Sequence, residues 1–138
     1  MICIQINQIG LLSGPRKLLV SLNNYPELYH HENEGIYILG SDKKYGNVVN
    51  GRRYWMQKNG RGAIWYDSKF GNWKIGYKSG IGRSSANLYS YSTDNLFGPQ
   101  GVAEWKYKGT GKKFYIDNNG EIKVHVAGNN NIQFIPYN

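Results

Sequence analysis

Residues 52–78 read RRYWMQKNGRGAIWYDSKFGNWKIGYK, and two turn signals within them predict the fold. The pair Asn59-Gly60 favours a two-residue hairpin loop, because a type I′ turn needs positive φ at both central positions. The four-residue loop 68–71 closes a second hairpin. Both loops set one consistent register, with the pairs Trp55/Ile64, Tyr54/Trp65, Lys58/Arg61, Ile64/Ile75, Tyr66/Trp73 and Asp67/Asn72. The stretch therefore predicts an antiparallel meander.

Side chains alternate across a strand, so this register divides the meander into two faces. The predicted core face carries Trp55, Ile64, Tyr66, Trp73, Ile75 and Tyr77. The opposite face is polar with two aromatic residues, and carries Arg52, Tyr54, Trp65, Asp67, Lys74 and Lys78. The pair Asn50-Gly51 extends the meander backward and places Val49 opposite Arg52.

Apolar and polar residues alternate along the whole chain, with Gly and Asn at the expected turns, whereas no stretch shows a sustained helical spacing of apolar residues. We therefore expect an all-β fold, an antiparallel meander of short strands forming a sandwich or barrel, in a single domain over residues 1–138. A short helical turn is expected over 23–33. The candidate strands are 2–6, 17–22, 35–40, 45–49, 52–58, 62–67, 72–78, 86–91, 103–108, 112–117, 121–126 and 131–136.

A hairpin is also predicted near the C-terminus, where Asn118-Asn119-Gly120 suits a three-residue loop. Its register pairs Ile116 with Ile122 and Phe114 with Val124 on the core face. Outward positions would then be Lys113, Tyr115, Lys123 and His125. At an offset of fifty, five residues of the first meander match Trp105, Lys108, Phe114, Tyr115 and Asp117. This echo indicates either a duplicated unit or a coincidence of hairpin composition.

Positive charge is concentrated in residues 43–83. This block holds ten Lys or Arg residues against one acid, Asp67, while the whole chain has a net charge of +8. It also contains three of the four tryptophans. Basic residues interleaved with aromatic ones are typical of a surface that binds anionic or sugar ligands.

Six short stretches in and around this block form a Trp/Tyr/Gly-rich pattern: Asn50-Gly51-Arg52-Arg53-Tyr54-Trp55, Ile64-Trp65-Tyr66, Gly71-Asn72-Trp73-Lys74-Ile75-Gly76, Ile81-Gly82, Leu88-Tyr89-Ser90 and Trp105-Lys106-Tyr107. This pattern resembles a Trp/Tyr/Gly-rich β domain found in multidomain eukaryotic proteins. The resemblance covers about residues 35–117 and leaves residues 1–34 uncovered. It implies a non-catalytic β module and supplies no binding residues. Phe114 stands where that family usually has Trp.

Enzyme and metal sites are disfavoured by the residues available. Cys3 is the single cysteine and cannot form an intrachain disulfide, and no G-x-S-x-G motif occurs. His30-His31 with Glu32 and Glu34 is the one acid/base cluster, and it reads more simply as a solvated loop. We expect no enzyme activity, no metal and no cofactor. No apolar run approaches the roughly 20 residues that span a bilayer, so we expect a soluble protein, either secreted or cytoplasmic.

A binding function is the remaining hypothesis. Trp65 and Tyr54 could stack on a sugar ring while Arg52, Asp67, Asn72, Lys74 and Lys78 bind its polar groups. A second site would use Lys113, Tyr115, Lys123 and His125. A glycan or acidic polysaccharide is the expected ligand. Single-stranded nucleic acid or another polyanion is the alternative, a protein-interaction module comes third, and a homodimer is compatible with each. In the competing interpretation a second layer covers this face and Trp65 belongs to the core.

Overall fold

The computed structural model describes residues 14–22, 28–90, 98–100, 104–108, 113–117, 120 and 122–128. Nine strands form one sheet: β1 Lys17–Leu22, β2 Gly35–Leu39, β3 Trp55–Gln57, β4 Gly62–Asp67, β5 Asn72–Tyr77, β6 Leu88–Ser90, β7 Trp105–Lys108, β8 Phe114–Ile116 and β9 Ile122–Val126. Two 3₁₀ turns cover Leu28–Asn33 and Lys78–Gly80. No α-helix occurs in these ranges, and the predicted all-β class is confirmed.

The sheet is an antiparallel meander that forms a half-barrel. Its strand order is β8-β7-β6-β5-β4-β3-β2-β1-β9, so every neighbour except the β1–β9 pair is consecutive in sequence. The two edge strands, β8 and β9, are also consecutive, and the backbone N–H of Ile122 donates to Asp117 Oδ2 at 2.9 Å. This contact joins the two edges of the curved sheet at one end.

The meander register predicted from the turns is confirmed where the strands pair. Trp55 lies opposite Ile64, Tyr66 opposite Trp73 and Asp67 opposite Asn72, and Val49 forms an isolated bridge with Arg52. The pairs Tyr54/Trp65 and Lys58/Arg61 lie outside the β3–β4 ladder. Segment 45–49 forms no strand, and candidate strands 2–6 and 131–136 lie outside the described residues.

One predicted turn type is wrong. Asn50 and Gly51 have φ of 54° and 82°, as a type I′ turn requires, but neither Asn59 nor Gly60 has positive φ. The side chain of Gln57 shapes that second turn instead. Its Oε1 accepts from the N–H of Gly62 at 2.8 Å, so a side-chain bond closes the wider loop 58–61.

The main core lies on the concave face of the half-barrel and contains Trp55, Trp73 and Trp105, all at most 1% exposed. A second, smaller core lies on the convex face. It packs Tyr54, Ala63 and Trp65 against Val49 and Ile81. The loop 40–54 and the segment 78–86 supply the covering residues, so part of the sheet is buried on both sides.

The predicted C-terminal hairpin is wrong. β8 pairs with β7, placing Tyr107 opposite Tyr115 and Lys108 opposite Phe114, while β9 pairs with β1. Tyr115 therefore shares the concave face with Leu88 across β6–β8, and the expected face assignment of β8 is reversed. Phe114 and Ile116 are 42% and 46% exposed rather than core. On β9, Ile122 and Val124 are buried as expected.

The fifty-residue echo has no counterpart in strand pairing. An exact repeat of the Trp55–Ile64 pair would place Trp105 opposite Phe114. Phe114 instead lies opposite Lys108, three residues further along β7. The two hairpins thus have different registers, which favours a coincidence of composition.

Candidate functional site

The predicted aromatic face on β3–β5 is not an exposed surface. Tyr54 and Trp65 are both 0% exposed, and Asp67, Asn72 and Lys74 are also buried. Arg52 and Lys78 are half-buried. The expectation of an open stacking surface is therefore wrong, and the competing interpretation, that Trp65 belongs to the core, is correct. The alternating pattern identified residues that share a face, but loop 40–54 and segment 78–86 cover that face.

Tyr54 anchors the loop 40–54. Its hydroxyl donates to the carbonyl of Gly46 at 2.6 Å and accepts from the N–H of Asp42 at 3.0 Å. The ring packs edge-on against Tyr45 with centroids 6.2 Å apart. Burial raises the pKa of the Tyr54 phenol, so this group stays neutral and hydrogen-bonded. Its role is structural.

Asp67, Asn72 and Lys74 form a buried polar group at the β4–β5 turn. Lys74 Nζ donates to Asn72 Oδ1 at 2.6 Å and lies 3.4 Å from Asp67 Oδ2. Asp67 Oδ1 accepts from the N–H groups of Lys69 and Phe70, which caps the turn. Burial lowers the pKa of Lys74, and Asp67 opposes that shift. These residues hold the hairpin together and offer little surface to a ligand.

Arg52 covers one end of the concave core. Its guanidinium carbon lies 3.7 Å from the ring centroid of Tyr66 and 6.0 Å from that of Trp73. A guanidinium over an aromatic face is a favourable cation–π arrangement. Burial lowers the pKa of Arg52 from its ordinary value.

The second predicted site is divided between the two edges of the sheet. Tyr115 stacks on Tyr107 with centroids 5.6 Å apart, and Lys113 lies just before β8. Lys123 and His125 are exposed on β9, which pairs with β1. The described strand pairing does not bring these four side chains together.

A pocket of about 250 Å³ opens instead on the convex face, beside the C-terminal end of β5. None of the predicted ligand-binding residues lines it. Its walls come from the end of β5, from the segment that follows β5 and from the last residue of β7. The lining residues are Gly76, Tyr77, Ser79, Gly80, Arg83, Ser85, Ala86, Asn87 and Lys108.

Trp65 forms the support beneath this pocket. Its indole Nε1 donates to the carbonyl of Arg83 at 2.9 Å. A Cβ on Gly76 would lie 3.0 Å from Trp65 Cη2 and 3.2 Å from the Cβ of Ala86, so Gly76 allows the sheet, the indole and the loop to pack closely. The predicted importance of Trp65 thus has a physical basis, although the indole holds the pocket loop rather than facing solvent.

Backbone hydrogen bonds fix the walls of the pocket. The N–H of Arg83 donates to the carbonyl of Gly80 at 3.0 Å, and the N–H of Asn87 donates to that of Ile75 at 3.1 Å. Lys108 reaches the same place because its N–H donates to the carbonyl of Asn87 at 2.9 Å. Topology therefore joins residues that are distant in sequence.

One rim of the pocket is connected to the 3₁₀ turn Leu28–Asn33. The hydroxyl of Tyr77 donates to Glu32 Oε1, and Glu32 Oε2 lies 3.4 Å from a terminal nitrogen of Arg61. The hydrogen bond to Glu32, followed by burial, raises the pKa of Tyr77. The Nδ2 of Asn87 donates to Asn33 Oδ1 at 3.2 Å. This rim is therefore held in place by side chains from a different part of the chain.

Gln57 holds the 3₁₀ turn against the sheet. Its Nε2 donates to the carbonyls of Glu32 and Glu34, at 3.0 and 2.7 Å. The buried hydroxyl of Tyr37 donates to the carbonyl of Asn33 at 2.6 Å. His31 Nδ1 contacts a carboxylate oxygen of Glu34. The acid/base cluster noted in the sequence thus includes local ion pairs and backbone contacts.

Sequence reasoning missed the pocket because its residues carry no recognised motif. The stretch Gly80-Ile81-Gly82-Arg83 forms a turn, and Gly80 and Arg83 of that turn also line the pocket. The sequence feature that could have indicated the pocket is an apolar residue among glycines. Ile81 is 6% exposed, and the glycines on either side of it carry no side chain that would fill the neighbouring space. Lys108 could not be assigned without the β6–β7 pairing.

Within the described ranges no cluster of three or more His, Cys, Asp or Glu side chains is arranged to hold a metal ion. In the same part of the chain, no helix has the length and apolar character to cross a bilayer. Comparison with models of known families, with curated proteins and with solved structures finds no match for this chain. The resemblance of residues 35–117 to a Trp/Tyr/Gly-rich domain stays a prediction.

Proposed function

We propose that this chain is a non-enzymatic binding domain for an acidic carbohydrate, and that the convex-face pocket holds one sugar unit bearing a carboxylate or sulfate. The observation that carries the proposal is the charge of the lining. Arg83 and Lys108 are its basic residues, and no Asp or Glu is among the lining residues that the structure describes. The proposal keeps the ligand class expected from the sequence but moves the site.

The lining has suitable chemistry for such a ligand. Arg83 can bind a carboxylate or sulfate through two parallel hydrogen bonds, and Lys108 adds a second positive charge. Ser79, Ser85 and Asn87 offer donors and acceptors for sugar hydroxyls. Pockets for drug-sized ligands have about 300–1,000 Å³, so a volume of about 250 Å³ suits a single sugar unit.

The lining also supports binding rather than catalysis. Its described residues include two serines but no His, Cys, Asp or Glu that could activate them or act as a general acid. Glu32 approaches the rim, but its carboxylate is already engaged by Tyr77 and Arg61. A paired-carboxylate mechanism would need a second acid at the same place.

Calorimetric titration tests the proposal. Galacturonic acid and a heparin-derived disaccharide represent the carboxylate and the sulfate, and galactose is the neutral control. Because hydrogen bonds to charged groups contribute about 1.5–3 kcal/mol, Arg83→Ala should weaken acid binding roughly tenfold to a hundredfold. The matched control is Arg16→Ala, which removes the same charge from an exposed position outside the pocket. Equal affinity for galactose and galacturonic acid, or equal effects of both substitutions, would sink the proposal.

Polyanion or single-stranded nucleic-acid binding is the second candidate, supported by the turn after β4. Phe70 is 58% exposed, and the ammonium groups of Lys69 and Lys74 lie 5.5 and 5.2 Å from its ring centroid. Exposed aromatics among basic groups are typical of base-stacking surfaces. Titration with an oligo-dT at several salt concentrations separates the two candidates. Steeply salt-dependent binding whose affinity falls in Phe70→Ala and is unchanged in Arg83→Ala favours nucleic acid.

A protein-interaction module and a homodimer stay predictions. The edge strand β8 offers a specific surface for either, since Phe114, Tyr115 and Ile116 are each more than 40% exposed. An exposed apolar edge is a common place for strand addition from a partner. Sedimentation velocity over a range of protein concentrations distinguishes a monomer from a dimer.

A further inference from the structure

The pocket continues toward the edge of the sheet on its convex face. Lys108 lines the pocket and is the last residue of β7, and Phe114 of β8 lies directly opposite it. Directly opposite residues of antiparallel strands point to the same side, with Cβ atoms about 4.5–5.5 Å apart. The Phe114 side chain therefore begins one strand beyond the basic wall of the pocket.

The surface next to the pocket combines an aromatic ring with a second lysine. Phe114 is 42% exposed, while Lys106 projects from the same face of β7 and lies opposite Ile116. Residues two apart on a strand are separated by about 6–7 Å. Lys106 and Lys108 thus form a short basic row beside an apolar platform, and the exposed Glu104 marks the end of that row.

We propose that the ligand is an acidic sugar chain of at least two units, with one unit in the pocket and the next stacked on Phe114. This inference rests on the proposed function. The pocket volume suits one unit, so a longer chain must leave the pocket over its rim. On the β7 side that path crosses Lys108 and meets Phe114, whose ring offers the apolar platform that sugar rings pack against. Lys106 is placed to attract the anionic group of the second unit.

Chain-length dependence is the direct consequence. Galacturonic acid occupies only the pocket, whereas di-, tri- and tetragalacturonate also reach Phe114. We expect the tetramer to bind at least tenfold more tightly than the monomer. Phe114→Ala should remove about fivefold or more of that gain and leave the affinity for the monomer unchanged. Phe114→Trp, which keeps an aromatic face, should preserve the gain.

Calorimetry of each variant with each chain length makes the test. The matched control is Leu19→Ala, which removes an exposed apolar side chain from β1, away from the pocket, and should leave the gain intact. Circular dichroism establishes that every variant is folded, and monomer affinity reports on the pocket independently of Phe114.

Two results are distinguishable. If the tetramer binds no more tightly than the monomer, or if Phe114→Ala and Leu19→Ala reduce the gain equally, the second subsite is refuted while the pocket remains. If neither the monomer nor the tetramer binds, or if Arg83→Ala leaves the affinity unchanged, the proposed function is refuted, and the second subsite is refuted with it.

Discussion

Replacing Trp65 by Phe should destabilise the protein by about 2–3 kcal/mol, whereas the same change at Trp105 should cost under about 1 kcal/mol. Both indoles are 0% exposed, so the substitutions remove the same atoms from equally buried positions. They differ in the indole N–H. That of Trp65 donates to the carbonyl of Arg83, while that of Trp105 is buried without a hydrogen-bond partner among the described residues.

The magnitude follows from two terms. The smaller ring removes about two carbon equivalents from a packed core, at about 0.8 kcal/mol each, or roughly 1–2 kcal/mol at either position. Trp65→Phe also loses a hydrogen bond worth about 1 kcal/mol, whereas Trp105→Phe removes a buried unsatisfied donor that costs about 1–3 kcal/mol. The second term therefore adds to the loss at Trp65 and offsets it at Trp105.

Urea unfolding followed by far-ultraviolet circular dichroism measures both values, because dichroism does not depend on the fluorophore being replaced. Equal m values in the variants show that the comparison concerns stability alone. The affinity for galacturonic acid gives a second readout: loosening the Arg83 loop should weaken binding in Trp65→Phe only. Equal losses of stability at both positions, or a greater loss at Trp105, would refute the hydrogen-bond reasoning.

Three further predictions concern the fold. Gly40→Ala should cost at least about 1–3 kcal/mol in thermal or urea unfolding, since its Cβ would overlap the ring of buried Tyr54; an unchanged midpoint would contradict this. Burial raises the pKa of the Tyr37 phenol, so the unfolded protein loses the phenol proton at a lower pH than the folded protein. The free energy of unfolding should therefore fall as pH rises above about 10. Urea unfolding from pH 8 to 11 measures this decline, which Tyr37→Phe should flatten. Asp67→Ala leaves buried Lys74 without its countercharge and should lower the free energy of unfolding by about 3–5 kcal/mol. The double substitution Asp67→Ala with Lys74→Met should lower it by less. A strictly additive double mutant cycle would argue against coupling between the two side chains.

The meander could be predicted because turns and alternation are local. The register between β4 and β5 needs only the short connection 68–71, and each residue's partner then follows from the pleat. The turn at Asn50-Gly51 was predicted correctly for the same reason. The Asn59-Gly60 turn type failed because Gln57, held by carbonyls of a distant 3₁₀ turn, supplies a side-chain bond that the dipeptide alone does not reveal.

The open binding face predicted on β3–β5 was wrong for a different reason. Alternation correctly grouped Tyr54 with Trp65 on one face, but it carries no information about what lies above that face. Loop 40–54 crosses it, and segment 78–86 packs beside it through Ile81. A similar limit affected β8 and β9, since the short connection 118–120 favoured a hairpin between them. β8 pairs instead with the preceding strand β7, and β9 pairs with the distant strand β1.

Charge in the sequence and charge at the pocket are therefore separate properties. Of the ten basic residues in 43–83, only Arg83 lines the pocket, and its partner Lys108 lies outside the block. Lys74 is buried against Asp67, and Arg52 covers the concave core, so part of the block serves stability. Under the proposed function, the exposed remainder, such as Lys58 and Lys69, would act on an anionic ligand through the long-range field, which changes the association rate and its salt dependence more than the lifetime of the complex. Specificity would then depend on two residues that only the folded sheet brings together.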